Sequence, residues 1–174
     1  VGLYFRKEGV TAGTWAKESF GDTATKMVVL EGTTGSAPAN DRAEGFDEAI
    51  AGTMIEKIDS QTGDFTRDGG KTVMEGFLQK YGVDGIDLVY AHNDDMALGA
   101  IEAIEAAGAV PGQDIKIVSI DAVKDGMQAL VDGKINYGPP PTGGGSANVK
   151  IDADTILDNL EFAFMINGEA RKGR

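Results

Sequence analysis

The sequence predicts an α/β fold with a doubly wound, mostly parallel sheet and helices on both of its faces. Short runs of β-forming residues alternate with amphipathic segments from the start of the chain through residue 137. Glycine-rich or polar turns separate the runs from the segments. Because a helix lies between successive strands, the strands must run parallel, with right-handed crossovers. This arrangement is the three-layer sandwich of flavodoxin-like folds.

The first four predicted elements are a strand, a helix, a strand and a helix. A strand is expected at 1–5, where apolar and aromatic residues cluster, and a helix at 11–20, whose apolar residues recur at helical spacing. A run of β-formers predicts the next strand at 26–30. The glycine-rich turn at 31–36 then leads into a helix at 38–51.

The middle of the chain continues in the same order. A strand is expected at 54–60, before a polar turn, and a helix at 66–81. The short apolar run at 86–90 predicts a buried strand. A helix at 94–107 follows, and Asn93 or Asp94 can cap its first turn.

Three shorter elements complete the pattern. After a turn that contains Pro111, a strand is expected at 115–120, then a helix at 123–131 and a short strand at 135–137. Residues 1–137 therefore form one predicted domain.

The alternation breaks at 138–146, where three prolines and a Gly-Gly-Gly-Ser run predict a linker. Residues 147–174 are expected to form an extended piece and a helix. One side of that helix is apolar, so it must pack on the domain or on a partner chain, for example in a homo-oligomer. The proline and glycine runs also fit a truncated or engineered domain, and this interpretation stays open.

Composition excludes several classes of function. The formal net charge of -12 and the pI near 4.4 repel nucleic acids and anionic lipid heads. No apolar run reaches transmembrane length and no signal segment is recognisable, so we expect a soluble or mature chain without membrane insertion. With no cysteine, disulfides, zinc-thiolate sites and thiol nucleophiles are ruled out.

Polar or glycine residues follow every central strand, and the carboxyl ends of parallel strands share one edge of a sheet. The groups expected there are a guanidinium fork, an aromatic plate, an amide and two carboxylates. Such a set suits a pyranose or a furanose, whose hydroxyls both donate and accept hydrogen bonds while the C–H face lies on an aromatic ring. The residues are Arg42, Phe65, Asn93, Asp94 and Asp121. Arg67 is a weaker candidate because it fits an exposed helix position equally well.

Four stretches in order resemble the C-terminal lobe of periplasmic sugar-binding proteins, and within these the galactofuranose- and ribose-type receptors of ABC importers. The stretches are EGTTGSAPANDRAEGF at 31–46, GDFTR at 63–67, VYAHNDDMALG at 89–99 and VSIDA at 118–122. The resemblance covers roughly residues 1–137.

This resemblance implies a non-catalytic sugar receptor outside the cytoplasm that delivers a pentose or hexose to an ABC permease. It places Arg42, Phe65, Asn93 or Asp94, and Asp121 on the sugar. Members of that family carry a second, N-terminal lobe that closes over the ligand, and the resemblance assigns no part of this sequence to such a lobe. We therefore expect weak or undetectable monosaccharide binding by the chain alone. The alternative is an engineered or stand-alone scaffold with a vestigial sugar site.

The sequence gives less support to a phosphate-binding loop, a catalytic histidine or a metal site. The turn at 32–36 lacks the lysine of a P-loop. His92 has no nucleophile placed beside it by any motif. Asp94, Asp95 and Asp121 lack the spacing of a calcium-binding loop. We accordingly expect no catalytic residue, no metal and no cofactor.

Overall fold

Helices and parallel strands alternate along residues 2–138, the part of the chain that the computed structural model describes. The elements are α1 (Gly2–Phe20), β1 (Thr25–Glu31), α2 (Ala37–Ile50), β2 (Ile55–Thr62), α3 (Arg67–Tyr81), a 3-10 turn (Val83–Gly85), β3 (Leu88–Ala91), α4 (Asp94–Ala106), β4 (Lys116–Val118) and α5 (Lys124–Val131). The predicted fold class is confirmed.

The four strands form one parallel sheet in the order β2-β1-β3-β4. Since β1 lies inside the sheet, the chain winds outward from it in both directions, as a doubly wound fold does. The register between β1 and β2 shifts between Met27 and Val28, at a local irregularity.

Alternate residues of the strands face opposite layers, and each face has its own core. Met27 and Val29 of β1 pack with α1 and α2, where Phe46 stacks on Tyr90 with ring centroids 3.9 Å apart. Val28 and Leu30 face the other way and pack with α3, α4 and α5. This period of two is what a strand covered on both faces requires.

The predicted strand at 1–5 is wrong, because residues 2–20 form one continuous helix, α1. A short apolar run cannot by itself distinguish a strand from a helix. What decides the outcome is packing. A Cβ added at Gly9 would collide with the backbone of α2, and one added at Gly45 with the backbone of α1. These glycines thus let the backbones of the two helices come close around Gly9 and Gly45.

The predicted strand at 135–137 is reduced to one parallel bridge between Asn136 and Val118. The strand expected at 115–120 is shorter than predicted, since the chain leaves the sheet after Val118. The predicted linker at 138–146, apart from Gly138, and the predicted C-terminal segment at 147–174 lie outside the described residues. No helix within residues 2–138 is both long enough and apolar enough to cross a bilayer.

Candidate functional site

Arg42 of α2 connects four parts of the fold at the carboxyl edge of the sheet. Its side chain is only 7% exposed. Nε donates to Oε2 of Glu8 at 2.9 Å, Nη1 to the backbone oxygen of His92 at 2.7 Å, and Nη2 to Oδ1 of Asp121 at 2.7 Å. The guanidinium is therefore fixed in place by α1, the end of β3 and the loop after β4.

Phe65 provides an aromatic surface beside this arginine. The Arg42 Cζ lies 5.9 Å from its ring centroid. The ring packs over Gly32, where any Cβ would overlap it, so the turn after β1 requires glycine at this position. Phe65 has a left-handed backbone with φ 61°, which turns the chain sharply after β2.

Asn93 joins the Phe65 turn to the start of α4. Its Oδ1 accepts a hydrogen bond from the Met96 N–H at 3.1 Å and so caps the helix, while its Nδ2 donates to the Phe65 backbone oxygen at 3.0 Å. The side chain is therefore both a cap and a tie between two loops.

Asp121 follows β4 and presents a carboxylate to Arg42. Its side chain is 34% exposed. Burial raises the pKa of Asp121 above its ordinary value, and the Arg42 charge acts in the opposite direction. One carboxylate oxygen is held by the arginine, so the acid is oriented before any ligand arrives.

Asp94 lies behind these groups and faces inward. It is 1% exposed, with Oδ1 accepting from the Ser119 Oγ at 2.7 Å and Oδ2 from the Val123 N–H at 2.7 Å. Burial raises the pKa of Asp94, and these hydrogen bonds oppose the shift. Burial and the nearby Asp94 carboxylate also raise the pKa of Tyr137, although its hydroxyl forms no hydrogen bond of standard geometry within residues 2–138. Asp94 thereby ties α4 to the loop that carries Asp121.

Arg67 lies apart from the Arg42 cluster. Its Nη2 pairs with Asp95 of α4 at 3.2 Å and Asp125 of α5 at 3.3 Å, and the side chain is 41% exposed. The structure thus brings Arg42, Phe65, Asn93 and Asp121 together. Asp94 lies behind them with both oxygens on protein donors, and Arg67 forms a separate ion-pair group with Asp95 and Asp125.

Glu8 belongs to the cluster and was missed in the sequence. Its Oε2 accepts from Arg42 Nε and lies 2.8 Å from Nη2, but no motif contains Glu8, and the sequence interpretation placed no helix at this position. Once α1 is known to begin at Gly2, the spacing of Tyr4, Glu8 and Ala12 puts the three on one face. That helical spacing is the signal that could have found it.

His92 is a buried structural residue next to the cluster. Its Nδ1 accepts from the Gly32 N–H at 3.2 Å, so Nε2 carries the proton, and Nε2 is buried without a partner in the described part of the chain. Burial, aided by the charges of Arg42 and Lys57, lowers the pKa of His92 to about 3. The ring is therefore neutral and acts as a structural support rather than a base.

A cavity of about 430 Å³ opens beside Asp121, between α1 and the loop after β4. Its walls are Tyr4, Lys7, Glu8, Thr11, Ala12, Ser119, Ile120, Asp121, Ala122, Tyr137 and Gly138. This volume is typical of small-molecule sites. Within residues 2–138, no group of three or more His, Cys, Asp or Glu side chains is arranged to hold a metal ion.

Comparisons with known proteins identify the family of the chain. The sequence profile of the periplasmic binding protein domain matches residues 1–148. The galactofuranose-binding protein YtfQ of Escherichia coli (strain K12) is 47% identical over 131 residues, which are 74% of this chain and 41% of that protein.

Two solved structures are similar in sequence and in fold. A Mycobacterium smegmatis protein in complex with β-D-fucofuranose is 55% identical, with a TM-score of 0.73 over 76% of this chain and 44% of that one. The binding component of the arabinose ABC transporter from Shewanella sp. ANA-3, bound to L-arabinofuranose, is 44% identical, with a TM-score of 0.73 over 76% of this chain and 44% of that one.

The chain spans less than half the length of these relatives. None of the comparisons supports an engineered scaffold. Because the matching profile covers most of the chain and the fold agrees with the solved structures, the chain belongs to the periplasmic binding protein family.

Proposed function

We propose that the chain is a monosaccharide-binding lobe of the solute-binding component of an ABC importer and that it acts without catalysis. The observation that supports this most is the meeting of Arg42, Asp121, Phe65 and Asn93 at one edge of the sheet. Together they offer a donor fork, an acceptor, an amide and an apolar plate, the combination that a hydroxyl-rich ring needs.

The roles follow from which atoms remain available. The second oxygen of Asp121 can accept from a sugar hydroxyl, and the second N–H of Asn93 Nδ2 can donate to one. Phe65 would cover the C–H face of the ring. Asp94 has both oxygens engaged by protein donors, so we propose that it positions Asn93 and Asp121. Arg67, paired with two acids, would stabilise the rim.

We propose a furanose as the preferred ring form. Three similar proteins are described by their names as binding galactofuranose, fucofuranose and arabinofuranose. In the whole protein a second lobe would complete the ligand contacts, the closed form would be read by an ABC permease, and the location would be outside the cytoplasm.

The test is a titration of ¹⁵N-labelled protein with L-arabinose, D-ribose and D-galactose, followed by amide chemical shifts. We expect concentration-dependent shifts at Gly32, Phe65, Asn93 and Asp121. Asp121→Asn should abolish them, because it weakens the acceptor. The matched control is Asp132→Asn, which makes the same change on an exposed residue at the far end of α5. Shifts confined to other surfaces, or none up to about 100 mM sugar, would refute the proposal.

A further inference from the structure

We propose that Glu8 makes this site selective for uncharged sugars, by occupying the edge of Arg42 that would otherwise bind an anion. The proposal rests on the sugar-binding function proposed above and adds the charge class of the ligand. A buried arginine in a ligand site ordinarily favours carboxylates and phosphates, since its fork matches their geometry.

The contacts show which edge is occupied. Nε and Nη2 form the edge of a guanidinium that grips two oxygens at once. In this protein Oε2 of Glu8 occupies that edge: Nε donates to this oxygen at 2.9 Å, and Nη2 lies 2.8 Å from it in an ion pair. The remaining acceptors are the His92 carbonyl on Nη1 and Asp121 on Nη2. Three of the five N–H groups of Arg42 therefore donate to protein oxygens, and the Nε–Nη2 edge already faces Glu8 and Asp121, so this edge is closed to an incoming anion.

The charges around Arg42 also disfavour an anionic ligand. Two carboxylates contact one guanidinium, whose side chain is only 7% exposed, so water screens the group weakly. Asp94 adds negative charge close to Asp121, and Asp95 adds a charge that Arg67 partly offsets. Among the described residues that line the adjoining cavity, Lys7 alone is cationic. An acidic sugar would enter a site that offers it excess negative charge.

Glu8 also differs from an ordinary surface partner of an arginine. Its side chain is 27% exposed and lines the cavity beside Asp121, where a ligand would pass. On the same helix, Arg6 pairs with Glu44 and Glu48, which are 61% and 59% exposed and do not line that cavity. The chain thus contains a matched control for the loss of one carboxylate beside an arginine.

The first experiment compares wild type, Glu8→Gln and Glu48→Gln by titration with sodium sulfate at constant ionic strength, with the Arg42 Nε–H resonance as the readout. Glutamine keeps the shape of Glu8 but not its charge, so sulfate should bind Glu8→Gln about tenfold more tightly than wild type. Glu48→Gln should behave like wild type. Equal sulfate affinity in all three proteins would overturn the proposal.

The second experiment uses D-galactose, D-galacturonate and D-galacturonamide, the last being a neutral isostere of the acid. Wild type should bind the amide at least about tenfold more tightly than the acid, and Glu8→Gln should reduce that ratio. Equal affinity of wild type for acid and amide would overturn the proposal even if Glu8→Gln failed to fold. If no sugar binds while the sulfate contrast appears, the sugar function fails and the exclusion of anions by Glu8 stands.

Discussion

Single residues at this site hold backbone conformations that side chains ordinarily avoid. In the described part of the chain four non-glycine residues have left-handed φ angles: Asp64, Phe65, Asp121 and Ala122. All four lie in the two loops that carry Phe65 and Asp121. Strain of this kind persists where the surrounding contacts determine the backbone, and it collects at binding sites. Asp64 accepts a local hydrogen bond from the Thr62 hydroxyl, whereas the side chain of Ala122 can form none.

Ala122→Gly should therefore stabilise the protein by about 0.5–1 kcal/mol, because relief of the left-handed strain exceeds the added entropy of the unfolded chain. Urea unfolding followed by circular dichroism measures the change. The control is Ala107→Gly at the end of α4, where φ is -78° and glycine brings only the entropy cost. Destabilisation by both substitutions would show that the φ of 56° at Ala122 carries no strain.

His92 gives the protein a pH dependence with a definite sign. Its pKa is about 3 in the folded state and 6.5 in the unfolded chain. Below pH 6.5 the unfolded chain takes up a proton that the folded protein refuses, so stability falls as the pH drops, by up to about 1.4 kcal/mol per pH unit. Asp94 and Asp121, whose pKa values are raised, act in the opposite direction nearer their own range.

The variant that isolates this effect is His92→Asn, whose Oδ1 can still accept from the Gly32 N–H. Between pH 6.5 and 5 its free energy of unfolding should change less with pH than that of wild type. The slope is the readout, so a lower stability of the variant at every pH does not affect the test. Parallel profiles for the two proteins would mean that His92 is accessible to protons in the fold.

At the scale of single residues, motif position predicted four side chains that meet. Arg42, Phe65, Asn93 and Asp121 follow different strands, and the common edge of a parallel sheet was enough to bring them together. Glu8 could not be predicted in this way, because its place depends on how α1 packs across the sheet. The sequence also could not predict that the Asp94 carboxylate points inward, because a capping position determines where a residue lies but not where its carboxylate points.

Among the elements, α1 and α2 together carry the two ends of the Arg42–Glu8 pair. Their separation depends on glycine, because a Cβ at Gly45 would meet the backbone of α1 at Arg6. The same dependence explains why the strand predicted at 1–5 was wrong. Hydrophobic pattern alone left strand and helix equally possible, and the close approach to a neighbouring helix, a tertiary feature, decided between them. Strands buried on both faces, by contrast, appear in the sequence as continuous apolar runs. The bounds of these strands were therefore predicted within a few residues.

Gly45→Ala should force α1 and α2 apart and cost about 1–3 kcal/mol of stability. It should also weaken sugar binding, since Glu8 and Arg42 lie on the separated helices. Gly76→Ala is the comparison within the same protein. Gly76 lies in α3 with nothing within 4 Å of an added Cβ, so alanine there should stabilise the helix by about 0.5–1 kcal/mol. Thermal unfolding of both variants is the measurement, and opposite signs are expected.

For the whole molecule, the decisive property is that the chain spans less than half the length of its relatives, so we expect it to supply about half of the contacts to a sugar. Halving the interaction energy of a micromolar site, about -8 kcal/mol, leaves about -4 kcal/mol, which corresponds to a Kd of about 1 mM. At 10 mM ligand such affinity stabilises the fold by about 1.4 kcal/mol, enough for a small rise in Tm. We therefore expect millimolar binding of arabinose, ribose or galactose by this chain in calorimetry and thermal-shift measurements. Micromolar or tighter affinity would contradict this, and it would mean that one lobe encloses the sugar without a second.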